Sequence, residues 1–364
     1  MSKQYYSLDK ILSEHALYNI IYGQRANGKT YSVVHLMIEH YCKTGVPSAY
    51  IRRLDSELVA WELETLAVPH KEFISEWTGG KYNDIIYKKR RFYLAHFNTE
   101  SYEYDLIDNE PCLYCYALSM SQKAKGADRG KIAYTLFDEF LTRTFYLANE
   151  FVIYSELLST IMRDRDGTVH FLVGNSVNKY CPYFNEMGLY NMKNQVQGTI
   201  DVYNYGDTGL KVAVEWCETS ENVASVSKYF AFDNPQLNMI FKGVWETANY
   251  PHAFEKIPKS NIRYKAFIKF DGINLCMNVV RSNTGLYLYI TKWTTEIPKD
   301  KLCFVTDHVY SPYECIDPSK CLLKIGQIIN VLIQQERVFF VDNEIGEIYN
   351  NWLKTVLTRT IYKS

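Results

Sequence analysis

The sequence lacks the features that would place this chain in a membrane or in a secretory pathway. No apolar stretch approaches the length needed to span a bilayer, and the first ten residues, MSKQYYSLDK, do not combine a basic segment with an apolar one. The chain also has no internal repeat and no low-complexity segment. These absences predict a soluble intracellular protein without a membrane partner.

The chain also has almost no net charge and no evenly spaced cysteine framework. Its formal net charge is -1, so any contact with nucleic acid has to come from a local basic patch or from loops arranged in a ring. The nine cysteines include one CxxC, Cys112 to Cys115, in an apolar strand-like run without a second CxxC or a histidine pair nearby. Two small core residues in a reducing cytosol are the favoured interpretation of this pair, ahead of a zinc or redox site.

What the sequence does contain is a long, apolar, regularly patterned chain. At 364 residues and 47% apolar residues, it can form one large domain and a smaller one. Residues 1–215 alternate β-rich runs with helical patterns, which predicts an α/β domain on a mainly parallel sheet. Residues 216–255 are predicted to be a linker region. Residues 256–364 begin with three strand-like runs joined by short turns and continue to two helical segments, which predicts a smaller α+β domain.

A complete GxxxxGK[ST] motif lies between a strand-like run, Leu17 to Tyr22, and a helical segment, Thr30 to Tyr41. Glycines let backbone N–H groups turn toward phosphate oxygens, and the helix N-terminus adds a favourable dipole. Lys29 is predicted to contact the phosphates of ATP, and Thr30 to offer its hydroxyl to Mg²⁺. This context disfavours the alternative, a chance glycine-rich turn. The predicted phosphate-binding residues are Gly23, Gln24, Arg25, Ala26, Asn27, Gly28, Lys29 and Thr30.

Two consecutive carboxylates follow a second strand-like run, Ile132 to Phe137. Asp138 is predicted to belong to the Mg²⁺ shell, and Glu139 to polarise the attacking water. A solvated pair on a loop is the alternative, and the upstream P-loop makes it the weaker one. The additional glutamate favours hydrolysis over phosphoryl transfer to another substrate, so these motifs predict an ATPase.

Two further polar residues are candidates for the same site. Asn175 follows the strand-like run Thr168 to Val173, where a polar side chain can sense the γ-phosphate. An ordinary turn asparagine is an equal alternative. Arg163 lies at the end of a helical segment just before that run. Its spacing alone favours a solvated Arg–Asp run over an arginine that acts in trans on a neighbouring subunit.

Six short motifs occur in a fixed order along residues 1–215. They are Gly23-x-Arg25-x-x-Gly28-Lys29-Thr30, Tyr50-Ile-Arg52-Arg53, Arg90-Arg91-Phe92-Tyr93, Phe137-Asp138-Glu139-Phe140, Met162-Arg163-Asp164-Arg165 and Asn175-Ser176-Val177. This series resembles the terminase-like DNA-packaging ATPases of phi29-type phages, which are P-loop ATPases with an additional catalytic glutamate (the ASCE type). The P-loop and the Asp–Glu pair are shared by many ATPases, whereas the paired arginines and the RRFY run are more particular to this group.

The resemblance implies a homopentameric ring that uses ATP to push double-stranded DNA through the portal of a procapsid. It matches Arg163 to the family's trans-acting arginine finger. It also places a second trans-acting basic residue at Lys125, with Lys123 as a close alternative. It further implies a location in the host bacterial cytoplasm, transiently on the procapsid and not in the mature virion.

The C-terminal part resembles the family's RNase H-like domain more weakly. Asp271 is the one carboxylate within its first strands, whereas a working nuclease of this type needs several around two metal ions. The resemblance therefore implies a vestigial nuclease domain without nuclease activity, and an unrelated docking domain is the alternative. In the phi29 type such a domain meets a structural RNA on the capsid, which makes a packaging RNA a further candidate partner.

The residues that contact DNA are not settled by the resemblance. A relative carries a lysine thought to face DNA where this chain has Asp55, which would repel phosphate. The basic candidates are Lys88, Lys89, Arg129 and Arg143, and solvated surface charge is an equal interpretation of each.

Two other functions stay open on the sequence. Another ring DNA-translocating ATPase, such as a helicase or a large terminase with an active nuclease, would share these motifs. Metal-dependent DNA cutting lost on Asp271→Ala would identify the nuclease. An assembly protein whose P-loop only regulates docking would bind ATP tightly and turn it over slowly, and the presence of Glu139 counts against it.

Overall fold

The computed structural model describes residues 6–25, 27–124, 130–142, 146–147, 149–163, 165–175, 181–218, 250–252, 257–306 and 308–362. The chain forms two compact units. The first consists of Met1–Thr142, Asn149–Lys179 and Glu186–Glu246, and the second of Arg143–Ala148, Tyr180–Asn185 and Thr247–Ser364. The predicted linker at 216–255 falls mostly outside the described residues.

The first unit is built on a ten-stranded sheet with the order β3-β4-β6-β2-β7-β8-β1-β10-β9, in which β5 pairs with β4. The strands are β1 (Tyr18–Gly23), β2 (Ser48–Arg52), β3 (Asp84–Lys88), β4 (Arg91–Asn98), β5 (Glu103–Ile107), β6 (Leu113–Ala117), β7 (Tyr134–Asp138), β8 (Val169–Asn175), β9 (Ile200–Tyr205) and β10 (Leu210–Trp216).

The centre of this sheet is parallel and its margins are antiparallel. Strands β6, β2, β7, β8, β1 and β10 run in one direction, so their carboxyl ends meet at one edge. Strands β3, β4 and β5 form antiparallel hairpins on one side, and β9 pairs antiparallel with β10 on the other. The predicted mixed α/β fold on a mainly parallel sheet is thus confirmed. The charged segment Ile85 to Phe97 forms the antiparallel hairpin β3–β4.

Seven helices lie in the first 218 residues, within the part of the chain that the structure describes. They are α1 (Asp9–Leu12), α2 (Lys29–Thr44), α3 (Ala60–Ala67), α4 (Lys71–Trp77), α5 (Ser121–Ala124), α6 (Glu150–Met162) and α7 (Pro182–Glu186).

Helix α2 connects the P-loop to the core of the first unit. Its apolar residues recur at helical spacing, and Val33, Met37 and Ile38 are fully buried in one cluster with Ile21 of β1. The helix ends at Gly45, whose φ of 72° is left-handed and whose N–H bonds to the last turn. This packing fixes the helix N-terminus at the carboxyl edge of the sheet.

The second unit contains a six-stranded sheet with the order β15-β14-β11-β12-β13-β16. The predicted meander is confirmed. The strands at Ile262–Phe270, Ile273–Ser282 and Gly285–Trp293 are antiparallel neighbours joined by short turns. The later strands pair parallel to the meander or to each other. The strands are β11 (Ile262–Phe270), β12 (Ile273–Ser282), β13 (Gly285–Trp293), β14 (Cys303–Phe304), β15 (Glu314–Cys315) and β16 (Val338–Phe340), and the helices are α8 (Lys324–Gln334) and α9 (Asn343–Tyr362).

The CxxC pair lies in the core of the first unit. Cys112 and Cys115 are buried free thiols at strand β6, and burial raises the pKa of both. Among the described residues, no group of three or more His, Cys, Asp or Glu side chains is placed to hold a metal ion. In the same part of the chain, no helix combines the length and the apolar character needed to cross a bilayer.

Candidate active site

The P-loop occupies the turn between β1 and α2, as the sequence predicts. Gly28 is the N-cap of α2 and has a left-handed φ of 92°, a conformation that favours glycine. It directs the first N–H groups of α2 toward the carboxyl edge of the sheet. Within the predicted stretch Gly23 to Thr30, Ala26 lies outside the described residues.

Lys29 is buried at the base of this loop. Its side chain is 4% exposed, and its ammonium group donates hydrogen bonds to the carbonyl of Gln24 and, at 3.0 Å, to Oδ1 of Asn27. Burial lowers the pKa of Lys29 to about 8, while the negative charge of Asp138 opposes that shift. Burial therefore destabilises the charged form of Lys29, and an anion bound beside it would stabilise that form.

This pKa predicts that nucleotide binding takes up a proton above pH 8. Phosphate charge favours the ammonium form and raises its pKa in the complex, so below about pH 8 Lys29 is charged before and after binding. Above that pH the free protein has lost the proton and the complex regains it, so affinity should fall as pH rises. Calorimetry of nucleotide binding at pH 9 in buffers of different ionisation enthalpy measures this uptake.

Two variants sharpen this measurement. Lys29→Arg should remove the proton uptake, because a guanidinium stays charged throughout this range. Lys43→Ala, at the exposed far end of the same helix, should keep it. Binding without proton uptake at pH 9 in the wild type would show that Lys29 is charged in the free protein.

The strand-end carboxylates lie directly beside the P-loop. Thr30 donates a hydrogen bond of 2.8 Å from its hydroxyl to Oδ1 of Asp138, and the Tyr50 hydroxyl donates one of 2.8 Å to Oδ2. Strand β7 ends at Asp138, which agrees with the prediction of a strand that ends in two carboxylates. A hydroxyl and a carboxylate that meet beside a glycine-containing loop at a helix N-terminus fit Mg²⁺, which takes few protein ligands and shares the rest with phosphates and water.

Glu139 follows with a left-handed backbone and an exposed side chain. Its φ is 57°, and its side chain is 55% exposed. The guanidinium of Arg52, at the end of β2, donates at 2.8 Å to Glu139 and at 3.4 Å to Asp138. Sequence reasoning placed Arg52 only in a shared motif and missed this role. The signal that could have found it is a cationic side chain at the carboxyl end of a parallel strand.

Arg53 holds the backbone of the same turn. It donates hydrogen bonds of 3.1 Å and 2.6 Å to the carbonyls of Glu139 and Phe140, and it pairs at 2.8 Å with the buried carboxylate of Glu150. Glu150 is the first residue of α6, so one buried ion pair ties this helix to the Glu139 turn. Removing one partner from a buried pair typically costs about 3–5 kcal/mol, so we expect this link to be rigid.

These elements enclose one cavity of about 400 Å³ in the first unit. P-loop residues including Arg25 and Lys29 line one side, and Asp138 and Glu139 line another. Asn175, the last residue of β8, lies beside Gly23 in the sheet and lines the same cavity. The structure therefore brings together the described P-loop residues, both carboxylates and the predicted sensor.

The predicted trans-acting residues do not line this cavity where the structure describes them. Arg163 is exposed just after α6, with a left-handed φ of 45°. Lys123 is exposed on α5, and Lys125 lies outside the described residues. Arg163 directly follows α6, and the first residue of that helix is tied to the Glu139 turn. Its exposed side chain is accessible for a contact with another subunit.

Comparison with known proteins finds relatives of this chain among phage proteins. The podovirus DNA encapsidation protein (Gp16) family matches residues 1–224. The DNA packaging protein of Bacillus phage phi29 is 25% identical over 183 residues, which are 50% of this chain and 49% of that protein. The chain thus spans about half the length of the curated relatives it matches.

Two solved structures share the fold over nearly the whole chain. The Phi-28 gp11 DNA packaging motor gives a TM-score of 0.60 at 18% identity and covers 98% of both chains. The bacteriophage Phi-29 viral genome packaging motor assembly gives 0.58 at 17% identity and covers 97% of this chain and 99% of that one.

Proposed function

The chain belongs to the podovirus DNA encapsidation protein (Gp16) family, and from this premise we propose that it is an ATPase that moves double-stranded phage DNA into a preformed procapsid. The observation that carries the proposal is the 2.8 Å hydrogen bond between Thr30 and Asp138. It joins the P-loop to the strand-end carboxylates on one cavity, as ATP hydrolysis requires.

In the proposed mechanism, the chain contributes mainly position and charge. Lys29 exchanges its loop hydrogen bonds for the β- and γ-phosphates, and Glu139 orients the attacking water. Arg52 fixes the Glu139 carboxylate from the side at 2.8 Å. Mg²⁺, when bound, neutralises phosphate charge, and Thr30 and Asp138 are the residues that would hold it. Asn175 is proposed to sense the γ-phosphate from the end of β8.

We propose that the working form is a homopentameric ring. Arg163 would act on the ATP site of a neighbouring subunit, and Lys125, or Lys123 close to it, would supply a second cation there. The exposure of Arg163, away from its own cavity, supports this assignment. Proposed partners are double-stranded DNA, the procapsid portal and a packaging RNA. The proposed location is the host cytoplasm, transiently on the procapsid and not in the mature virion.

We further propose an ATPase domain at 1–215, a linker at 216–255 and an RNase H-like domain at 256–364. Two features support the third assignment: the antiparallel β11–β12–β13 meander, and the parallel pairing of β14 with the free side of β11. The proposed loss of nuclease activity is supported by the sequences of the three meander strands, which contain no carboxylate. Asp271 lies in the turn between the first two of these strands.

A DNase-protection assay tests the motor. Purified procapsids, phage DNA, the chain, ATP and Mg²⁺ are mixed, and the DNA that resists added nuclease is measured. We expect protection that requires ATP, is lost with Lys29→Ala and is retained with Lys43→Ala, a substitution in an exposed ion pair of the same helix. Protection by Lys29→Ala at the wild-type level would exclude an ATP-driven motor at this site.

A further inference from the structure

The turn between β3 and β4 presents four cationic side chains in succession, Lys88 to Arg91. Lys88 pairs with Arg91 in the ladder, and the two residues between them, Lys89 and Arg90, have left-handed φ angles of 52° and 60°. A two-residue turn of this kind usually contains glycine or asparagine. Here both positions carry long cationic side chains, which project from the tip of the hairpin.

This turn lies at the edge of the sheet that carries the ATP site. Strand β3 runs in the same direction as β6 and β2, because β4 is antiparallel to both β3 and β6. The end of β3 at Lys88 therefore lies at the carboxyl edge. The N–H of Cys115 in β6 donates a 2.9 Å hydrogen bond to the carbonyl of Arg90, which fixes the turn against the sheet.

The sequence suggests that Asp55 repels phosphate, but in the structure its negative charge is balanced by the basic turn itself. The guanidinium of Arg90 donates a hydrogen bond of 2.7 Å to Oδ2 of Asp55, and its other terminal nitrogen lies 2.6 Å from Oδ1. This ion pair balances the charge of Asp55 and joins the loop after β2 to the hairpin. Arg90 is thereby occupied, and the exposed side chains of Lys88 and Lys89 make no ion pair within the described part of the chain.

The same loop is attached to the ATP site. Asp55–Glu57 forms one short 3-10 turn, and Glu57 lies 3.5 Å from the guanidinium of Arg52, which binds Glu139. The basic turn is thus connected to the Glu139 carboxylate through three ion pairs, Arg90–Asp55, Glu57–Arg52 and Arg52–Glu139, and one short segment. A ligand held at this turn is therefore linked to the carboxyl edge of the sheet where ATP is proposed to be hydrolysed, so hydrolysis there can be coupled to movement of the ligand.

We propose that Lys88 and Lys89 form a contact with the backbone phosphates of double-stranded DNA, and that the Arg90–Asp55 pair fixes their position. This assignment rests on the proposed function and names the surface by which the motor holds its substrate. Two adjacent flexible ammonium groups on a rigid turn suit a regular row of phosphates, because they bind charge without reading base sequence.

The test is binding of a fluorescently labelled DNA duplex to the full chain over a range of salt concentrations. Replacing both Lys88 and Lys89 with alanine should weaken binding about tenfold at physiological salt. It should also reduce the magnitude of the negative slope of log affinity against log salt by about two. The control is the double variant Lys43→Ala and Lys81→Ala, which removes the same amount of charge. Lys43 lies near the end of α2 and Lys81 lies just before β3, so this variant should leave the slope unchanged. Asp55→Asn should not reduce the salt dependence, because it frees the cationic charge of Arg90 beside the two lysines.

The outcomes separate this assignment from the motor itself. If the double alanine variant binds DNA as tightly as the wild type and with the same salt slope, the hairpin contact is overturned and the ATPase proposal stays intact. A variant that loses affinity for duplex RNA but not for duplex DNA would assign the turn to an RNA and also overturn it. ATP hydrolysis without DNA should be unchanged in the variant, which shows that the site has folded. A wild-type chain that neither binds nor protects DNA would overturn both proposals.

Discussion

Glu139→Gln is expected to lower kcat for ATP hydrolysis by about a hundred- to ten-thousand-fold while the affinity for ATP changes little. Glutamine keeps the size of the side chain and can still contact Arg52, but it cannot accept a proton from the attacking water. Lys29, Thr30 and Asp138, which meet on the same cavity, are unchanged. Steady-state hydrolysis together with equilibrium binding of a labelled nucleotide separates these two effects.

Glu103→Gln is the matched control, because Glu103 lies exposed on strand β5 and is remote in sequence from the P-loop and β7. It should hydrolyse ATP at the wild-type rate. If Glu139→Gln kept more than about a tenth of the wild-type kcat, Glu139 would not be the group that activates water, since general-base catalysis contributes far more than that.

Mixing two inactive variants, Glu139→Gln and Arg163→Ala, is expected to restore ATP hydrolysis. The first variant has no working acceptor site but can donate Arg163, and the second has an intact acceptor site. In randomly mixed rings of equal composition, about one quarter of the interfaces combine an intact site with a donated arginine. DNA-stimulated hydrolysis of the mixture should therefore rise well above that of either variant alone.

The control mixture is Glu139→Gln with Lys29→Ala. Neither variant has a working acceptor site, so this mixture should stay inactive even though both carry Arg163. Capture of one tagged variant by the other establishes subunit exchange. Persistent inactivity of the first mixture after such exchange would show that Arg163 does not complete a neighbour's site, and the ring proposal would lose its main mechanistic support.

Much of the local structure follows from the sequence alone. The strand-like runs Ile132 to Phe137 and Thr168 to Val173 correspond to strands β7 and β8. The P-loop lies between a buried strand and a helix as expected. Each of these features depends on periodicity or turn chemistry within about ten neighbouring residues, which the order of residues contains directly.

The positions of Lys29, Thr30, Asp138 and Asn175 on one cavity were also predictable, because parallel strands end at one edge of a sheet. The sequence could not show what holds them there. Arg52 and Glu139 are 87 positions apart, and Arg53 and Glu150 are 97 apart. No local pattern joins such pairs.

The sequence by itself determined the glycine-containing turn between β1 and α2, the carboxylates at the end of β7 and the helices and strands around them. The tertiary structure decided that Arg52 binds Glu139, that Arg53 anchors α6, and that Asp55 is balanced by Arg90. The physical reason is that an ion pair depends on which strands become neighbours. That order is set by burial of the whole sheet, whereas a turn or a helix start is set by residues next to each other in the chain.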